Sequence, residues 1–297
     1  MKKEIVVFGG SGFLGSYICE ELSKRGYKVT IADINKPKDI KPNQKFVETD
    51  ILNLNQVKSV VKGAEIIFNF SAVAKLEDAL SDPIKTININ VLGNLNILES
   101  IKDSSSLRRF VYSSSAYALS SKGSFYGISK YSSEKIIQEY SKLHAIPYTI
   151  IRYGSIYGER KSRNNYLYNL LSSAMEHGEI NYFGSLEDTR EYIHAVDASR
   201  LSVDIIENET YIGESIILTG VERFSKSQLF QLVEEILEKP LNIKETKSVS
   251  SFSHYKFTPY SYQPDTGKKL IGSYFIDFAQ GLLDCIKSIE IEIEQKK

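Results

Sequence analysis

Cysteine and histidine are scarce in this chain, and neither sign of charge is in excess. The two cysteines, Cys19 and Cys285, fit no metal-ligand spacing and each falls in a helical apolar pattern, so they read as buried reduced thiols. The four histidines, His144, His177, His194 and His254, have no His-x-x-x-His or Cys-x-x-Cys partners, and no metal site is expected. With 37 basic and 37 acidic residues there is no positive surface to argue for nucleic acid or an anionic membrane, so any bound anion must be held locally. Long apolar runs are missing too. Met1-Lys2-Lys3-Glu4 leads into only four apolar residues, Ile5–Phe8, before glycines. That is neither a signal peptide nor a span, and no later run approaches ~20 residues. The expectation is a soluble, cytoplasmic protein.

What the chain does have is alternation. Its 297 residues can hold one large domain or one and a half. Ile5–Phe8 suits a strand buried on both faces of a parallel sheet. Gly9-Gly10-Ser11-Gly12-Phe13-Leu14-Gly15 follows at once, then Ser16 to Arg25 reads as a helix that Gly26 ends. Gly9, Gly12 and Gly15 permit a tight turn, a close approach of backbone to a pyrophosphate and close helix–sheet packing, with Phe13 and Leu14 in the same loop and phosphate on the helix N-terminus. A second strand, Lys28–Ala32, ends at Asp33. An acid there can accept hydrogen bonds from the adenosine ribose and repel a 2′-phosphate, which favours NAD over NADP.

Further alternation continues the winding. Lys45–Asp50 reads as a third strand, with Asp50 and Ile51 flanking the adenine. Leu54–Lys62 reads as a helix. Ile66–Phe70 reads as a fourth strand running into the small residues Ser71-Ala72, where a dinucleotide backbone can pass beside Phe70. Pro83–Ser100 reads as one long helix carrying Asn90, which belongs either beside the cofactor or among satisfied helix neighbours. Arg109–Tyr112 gives a fifth strand and Pro147–Arg152 a sixth. The fold class is α/β, a doubly wound Rossmann-type parallel sheet over residues 1–154. Residues 155–297 remain for a smaller C-terminal α/β lobe.

The chemistry is expected where the fifth strand meets the next helix. A phenol titrates near pH ~10 and is a poor base at neutral pH unless a cation stabilises its phenolate. On a helix from Phe125 to about Leu143, Tyr126 and Lys130 share a face one turn apart. Ser115, after the strand, can hydrogen-bond the same substrate oxygen. Together they make a proton relay for a secondary alcohol that loses or gains a hydride. Tyr-x-x-x-Lys occurs three times, at Tyr126/Lys130, Tyr131/Lys135 and Tyr157/Lys161, but only the first follows a strand ending in serines and opens a helix.

The glycine turn, Asp33, the serine run and Tyr126-x-x-x-Lys130 together resemble the extended short-chain dehydrogenase/reductase family, in particular its nucleotide-sugar epimerases and dehydratases. The resemblance implies that Gly9, Gly12 and Gly15 hold the pyrophosphate of NAD and Asp33 its ribose. It also implies that Lys130 reaches the nicotinamide ribose, and that Ser115 and Tyr126 work on the substrate hydroxyl. Arg152-Tyr153-Gly154-Ser155-Ile156-Tyr157-Gly158 resembles the family's Arg-x-x-Asn-x-Tyr-Gly segment, with Ser155 in place of Asn. Thr189–Asp197 resembles its Thr-Arg-Asp-Tyr-Ile-His-Val-x-Asp segment, so Arg190 inherits a contact to the substrate diphosphate, for which an Arg fork is geometrically suited. The resemblance thereby makes residues 155–297 mainly a substrate-binding lobe, with the stretch from about 190 to 210 returning to the Rossmann domain. The rival role for Arg190 is an ion pair with Asp188 or Glu191. A homodimer through the helices Pro83–Ser100 and Tyr126–Leu143 is implied as well, with Tyr131, Ile136, Tyr140 and Leu143 either on its face or buried within one chain.

Departures from the family narrow the reaction. Only ten residues separate Ser115 from Tyr126, so a wall of the sugar pocket is short. Ala116-Tyr117 stands where dehydratases carry Asp-Glu, which counts against water elimination. No Arg-x-Gly-Glu segment is evident around His254–Gln263. The leading expectation is an NAD-dependent nucleotide-sugar 4-epimerase working through a 4-keto sugar. A sugar-nucleotide 4-dehydrogenase or 4-ketoreductase, a reductase of non-sugar carbonyls, and a non-catalytic dinucleotide sensor are its alternatives.

Overall fold

The computed structural model describes residues 4–120, 122–246, 268–270, 272 and 274–295. The segment around His254–Gln263 lies outside them. In chain order the elements begin with strand β1 (Glu4–Phe8), helix α1 (Phe13–Lys24), β2 (Lys28–Asp33), β3 (Gln44–Glu48), α2 (Leu54–Val61), β4 (Ile66–Asn69), α3 (Leu76–Ser81) and α4 (Pro83–Ile87). A π-helical turn, Asn88–Leu92, joins α4 to α5 (Gly93–Ile101). Next come β5 (Arg109–Ser115), a 3₁₀ turn (Ala116–Leu119), α6 (Ser124–His144), β6 (Tyr148–Tyr153), β7 (Ser155–Tyr157) and α7 (Tyr166–His177). They are followed by β8 (Glu179–Tyr182), β9 (Thr189–His194), α8 (Ala195–Glu207), β10 (Glu214–Leu218), β11 (Arg223–Ser225) and α9 (Lys226–Leu237). The last described elements are β12 (Asn242–Glu245), β13 (Lys268–Lys269) and α10 (Phe278–Glu294).

The central sheet has the order β13-β10-β6-β5-β4-β1-β2-β3, and every pairing in it is parallel. Parallel strands buried on both faces should be apolar throughout, and Ile5 to Phe8, Ile66 to Phe68 and Phe110 to Tyr112 are all buried. One apolar cluster lies on each face. Ile5, Val7, Ile18 and Leu22 pack with Leu201 and Ile205 of α8 on one side, and Val6, Phe8, Val57 and Ile97 pack with Ile137 of α6 on the other. The strand order reverses between β1 and β4, so a crevice opens at the carboxyl ends of these strands, where doubly wound sheets bind their ligands.

A third cluster is separate in sequence. Tyr157, Leu167, Leu171, Ile180, Phe230 and Leu282 pack together from β7, α7, β8, α9 and α10, around a three-stranded sheet in the order β11-β9-β7 and a two-stranded pair of β12 and β8.

Several element boundaries differ from the sequence reading. The third strand stops at Glu48, because Asp50 turns the chain by accepting a hydrogen bond from Leu52 N–H at 2.9 Å. The expected helix Pro83–Ser100 is broken into α4 and α5 by the π turn, and α3 precedes it as a short helix of its own. The fifth strand runs on through the serines to Ser115.

Candidate active site

The glycine turn is built by contacts that no side chain would allow. Gly9 has φ +71°, and a Cβ there would sit 2.6 Å from the Phe70 carbonyl carbon and the Ser71 nitrogen. A Cβ on Gly15 would sit 2.2 Å from the Gly9 oxygen. The head of α1 therefore lies directly on the β1 turn, and the β1 turn lies directly on the end of β4. Gly12 caps α1 without a side chain, and the first turn of the helix carries no acid. The amides of Phe13, Leu14 and Gly15 precede the first intrahelical partner, which makes this end electropositive and suited to a pyrophosphate.

Asp33, at the end of β2, closes the same loop. Its Oδ2 accepts from Ser11 N–H at 3.1 Å and its Oδ1 from Asn35 N–H at 2.9 Å. A carboxylate has about four lone-pair sites, so two such bonds fix its direction and still leave acceptors for ribose hydroxyls. Ile51 is buried against Gly93 of α5, with a Cβ at Gly93 blocked at 2.7 Å by Ile51 Cγ2, while Asp50 is exposed. Phe70 is partly buried between the rings of Phe68 and Tyr153.

Asn90 sits in the π turn with its polar groups committed to protein. Its Oδ1 accepts from Val73 N–H at 2.7 Å, and its Nδ2 donates to Val73 O at 3.0 Å and to Ser129 Oγ at 2.9 Å. Ser133 Oγ donates to the Asn90 carbonyl at 2.8 Å. Both amide hydrogens are taken, so Asn90 bolts the loop after β4 to α6. These bonds are those expected of an asparagine satisfied by its neighbours.

Ser115, Tyr126 and Lys130 come together where β5 meets α6. Lys130 is 2 % exposed, and its Nζ donates to the Ser113 carbonyl at 2.6 Å. It lies 4.9 Å from the Tyr112 ring centroid and 5.8 Å from that of Tyr126. Burial pulls the lysine down to about 7, and the charge of Glu134 opposes that. Ser115 Oγ accepts from Tyr117 N–H at 3.2 Å, which starts the 3₁₀ turn. The Tyr117 ring then stands edge-on to Tyr126 with centroids 6.3 Å apart. The short connection is tightly seated, since a Cβ on Gly123 or Gly127 would lie 2.7 Å from the Tyr117 oxygen.

The other two Tyr-x-x-x-Lys pairs are elsewhere. Lys135 lies over the exposed Tyr131 ring at 5.2 Å on the outside of α6. Tyr157 is buried in the third cluster, and Lys161 faces Glu292 at 3.6 Å.

Ser155 and Arg190 occupy adjacent strands of the small sheet. Ser115 is paired with Tyr153, so Ser155 follows two residues beyond the partner of Ser115. The acids on either side of Arg190, Asp188 just before β9 and Glu191 on it, each meet a cation. Asp188 meets Lys226 at 2.9 Å and Glu191 meets Arg223 at 3.1 Å, while Arg190 Nη1 donates to the Thr189 carbonyl at 2.8 Å. The Arg190 charge also acts on Tyr166, at the head of α7.

Two groups escaped the sequence reading. Glu134 is fully buried and takes a two-point fork from Arg152, Nε to Oε1 at 3.0 Å and Nη2 to Oε2 at 2.7 Å, with the Ser114 hydroxyl also on Oε1. The signal was available one helical turn beyond Lys130, on the face of Tyr126. Glu159 is the second. It accepts from Tyr17 OH at 2.7 Å and stands 3.3 Å from His194 Nε2, and these two partners hold it down at about 2 against its burial. Beside it, the Arg160 guanidinium lies 3.8 Å over the Tyr17 ring and donates to Ser16 Oγ at 2.7 Å.

With this geometry in view, comparison with known proteins is decisive at the family level. The model of the NAD dependent epimerase/dehydratase family matches residues 5–218. The chain belongs to that family. It is 27 % identical to a putative UDP-glucose 4-epimerase of Methanocaldococcus jannaschii, over 82 % of this chain and 92 % of the relative. It is 25 % identical to the UDP-N-acetyl-alpha-D-glucosaminuronate decarboxylase of Bacillus cytotoxicus, over 97 % of this chain and 98 % of that one. The fold is shared with the UDP-glucuronic acid 4-epimerase of Bacillus cereus, solved with UDP-glucuronic acid and NAD, at TM-score 0.84 and 23 % identity over 97 % of this chain and 99 % of that one. An NAD-dependent epimerase/dehydratase needs a dinucleotide cradle, and the close backbone packing at Gly9 and Gly15, with the open head of α1 beside it, fits that need. Among the described residues no cluster of three or more His, Cys, Asp or Glu side chains is placed to hold a metal ion, and no helix is long and apolar enough to cross a membrane.

Proposed function

We propose that this enzyme is a nucleotide-diphosphate-sugar 4-epimerase that works through a 4-keto sugar. The observation that carries the reading is the buried Lys130, tied to Ser113 O at 2.6 Å beneath the ring of Tyr126 at the carboxyl end of the central sheet. UDP-sugar 4-epimerases among the relatives, matched over most of both chains, support the substrate class.

When bound, NAD supplies a reversible hydride acceptor for a secondary alcohol carbon. The chain's residues manage the proton. Lys130 lowers the free energy of the Tyr126 phenolate, Tyr126 takes the proton from the sugar C4 hydroxyl, and Ser115 Oγ holds that oxygen in line. Tyr126 then gives the proton back after the sugar has presented its other face. Ala116-Tyr117 provides no acid–base pair for water elimination, so the 4-keto sugar has return as its course. Ser155 and Arg190, on the small sheet, serve the sugar and its diphosphate.

The reading divides the chain into a cofactor half, residues 1–154, and a substrate half built on the third cluster, with α8 and β10 lying back on the central sheet. It also makes the enzyme a cytoplasmic homodimer that supplies sugar nucleotides for polysaccharide assembly.

The test is to add UDP- and GDP-hexoses and uronates to the purified protein with NAD, follow the NADH absorbance band and identify the sugar by NMR. Inverted sugar without net NADH supports the epimerase. Accumulating NADH with a 4-keto product would make it a dehydrogenase, and no change in any sugar nucleotide would remove the substrate assignment. Tyr126→Phe is expected to keep NAD affinity within about twofold while turnover falls by at least ~10²-fold, the usual worth of positioned acid–base catalysis.

A further inference from the structure

We propose that Glu134, fixed by Arg152 and Ser114, is a positioning residue that keeps Lys130 charged beneath Tyr126, acting through the lysine and touching neither cofactor nor sugar. The proposal rests on Tyr126 being the acid–base group of the reading above.

Spacing is the first observation. Tyr126, Lys130 and Glu134 are successive fourth residues of α6, so they stack along one face at intervals of about one turn. Glu134 is therefore one turn from the lysine and two from the phenol. Its negative charge favours the ammonium more than it disfavours the phenolate, because Coulomb energy falls with distance.

The second observation is direction. Arg152 holds Glu134 with two parallel bonds from β6, and Ser114 reaches the same carboxylate from β5. Glu134 thus stands on the lysine's own helix, one turn away, while Arg152 reaches the carboxylate from a strand, and the charge of Glu134 favours the Lys130 ammonium against its burial. Among the described residues, the other groups set against Lys130 and its neighbours bring no charge. Tyr112 and the Ser113 carbonyl approach from β5, Asn90 binds Ser129 from the π turn, and Tyr117 stands against Tyr126. Tyr112 is itself pushed far above the ordinary phenol range by burial, so it stays neutral.

Stability is a poor explanation for the pair. A buried ion pair often contributes no more than well-packed apolar side chains of the same volume. A role in setting the charge of Lys130 is what apolar replacements would not reproduce.

The experiment uses the full chain with NAD bound, labelled with ¹³Cε-lysine and ¹³Cζ-tyrosine. The Lys130 and Tyr126 signals are assigned by their loss in Lys130→Met and Tyr126→Phe. Glu134→Gln alone would strand the Arg152 charge and can unfold the protein, so the decisive variant is the double replacement Glu134→Gln/Arg152→Met, which removes both charges together. The expected result is that Lys130 releases its proton about tenfold more readily, a midpoint lower by about one pH unit, while the Tyr126 midpoint rises. The acidic limb of kcat against pH should move up with Tyr126. A Lys130 midpoint unchanged in the double variant would overturn the proposal, as would a kcat lowered equally at every pH with both midpoints unmoved. The lysine titration needs no sugar. If no sugar nucleotide reacts at all, the substrate reading fails while the effect of Glu134 on Lys130 is still decided.

Discussion

A single side chain, Lys130, carries a measurable signature of the site even without substrate. Its native value of about 7 is set by burial, whereas in the unfolded chain it titrates near ~10.4. Below about pH 7 both states hold the proton and the cost of burying the ammonium is present in full. Between about pH 7 and 10 the unfolded chain keeps a proton that the native protein has released, so this residue makes unfolding free energy rise with pH across that window. Above ~8.5 the buried thiols Cys19 and Cys285, both pushed up by desolvation, begin to oppose the rise. Urea midpoints of the cofactor-free protein and of Lys130→Met, compared from pH 6.5 to 8.5, isolate the term. The variant should lack the rise, and parallel curves would mean that the lysine is not buried as described. At this scale the sequence was informative about Tyr126 and Lys130, because a charge one helical turn from a phenol has a chemical meaning that spacing alone conveys. For Glu134 the spacing was there but not its meaning, which depends on a strand partner, Arg152, that only the register of β5 against β6 brings near.

Among elements, the glycine turn and the π turn teach different lessons. The glycines were legible because the residue type states the geometry. Gly15 has to let α1 pass against the Gly9 carbonyl, and a methyl group would stand 2.2 Å from that oxygen. Gly15→Ala should therefore weaken NAD binding at least ~100-fold, the effect of losing several kcal/mol of binding geometry. Titration calorimetry checks it, and affinity within threefold of the parent would show that the turn is not the cradle. The π turn was not legible. An apolar pattern read over Pro83–Ser100 has the period of a helix, and one extra residue inside a turn leaves that pattern nearly intact. Its consequence is local but structural, since it presents Asn90 to both Val73 and Ser129. Asn90→Ala leaves the half-buried Val73 N–H and carbonyl without their side-chain partner, and Ser129 with only its bond to the Tyr126 carbonyl at 2.8 Å, and should cost about 1–3 kcal/mol of stability. A denaturation midpoint equal to the parent's would show that water or a relaxed loop replaces the asparagine.

For the whole molecule, two surfaces matter, one closed within the chain and one left open. The closed one is made by residues 158–165, between β7 and α7. Glu159 and Arg160 grip Tyr17, Ser16 and Glu20 of α1, and Arg163 reaches Asp78 at 3.0 Å. The helix that opens at the glycine turn is thus fastened to the connection that leads into α7, a contact that no local pattern could announce because its partners are ~140 residues apart.

The open surface lies on α4 and α6. Ile84, Phe125, Ile128, Tyr131 and Leu143 are all exposed, and at ~100° per residue the four on α6 fall within about a third of its circumference. Ile136 and Tyr140, grouped with them from the sequence, instead turn partly inward against the core beneath α6, where Tyr140 also bonds Glu99. A stripe of large apolar side chains on two adjacent helices costs free energy in water, and a second copy of the same stripe across a two-fold axis would cover it. Ile128→Asp places a charge at its middle without entering the core, so it should shift the protein from dimer to monomer in light scattering at micromolar concentration while leaving the circular dichroism spectrum unchanged. If Ile128→Asp and the parent have the same mass at every concentration, these helices are not the subunit contact. If the parent is a monomer throughout, the homodimer itself is excluded.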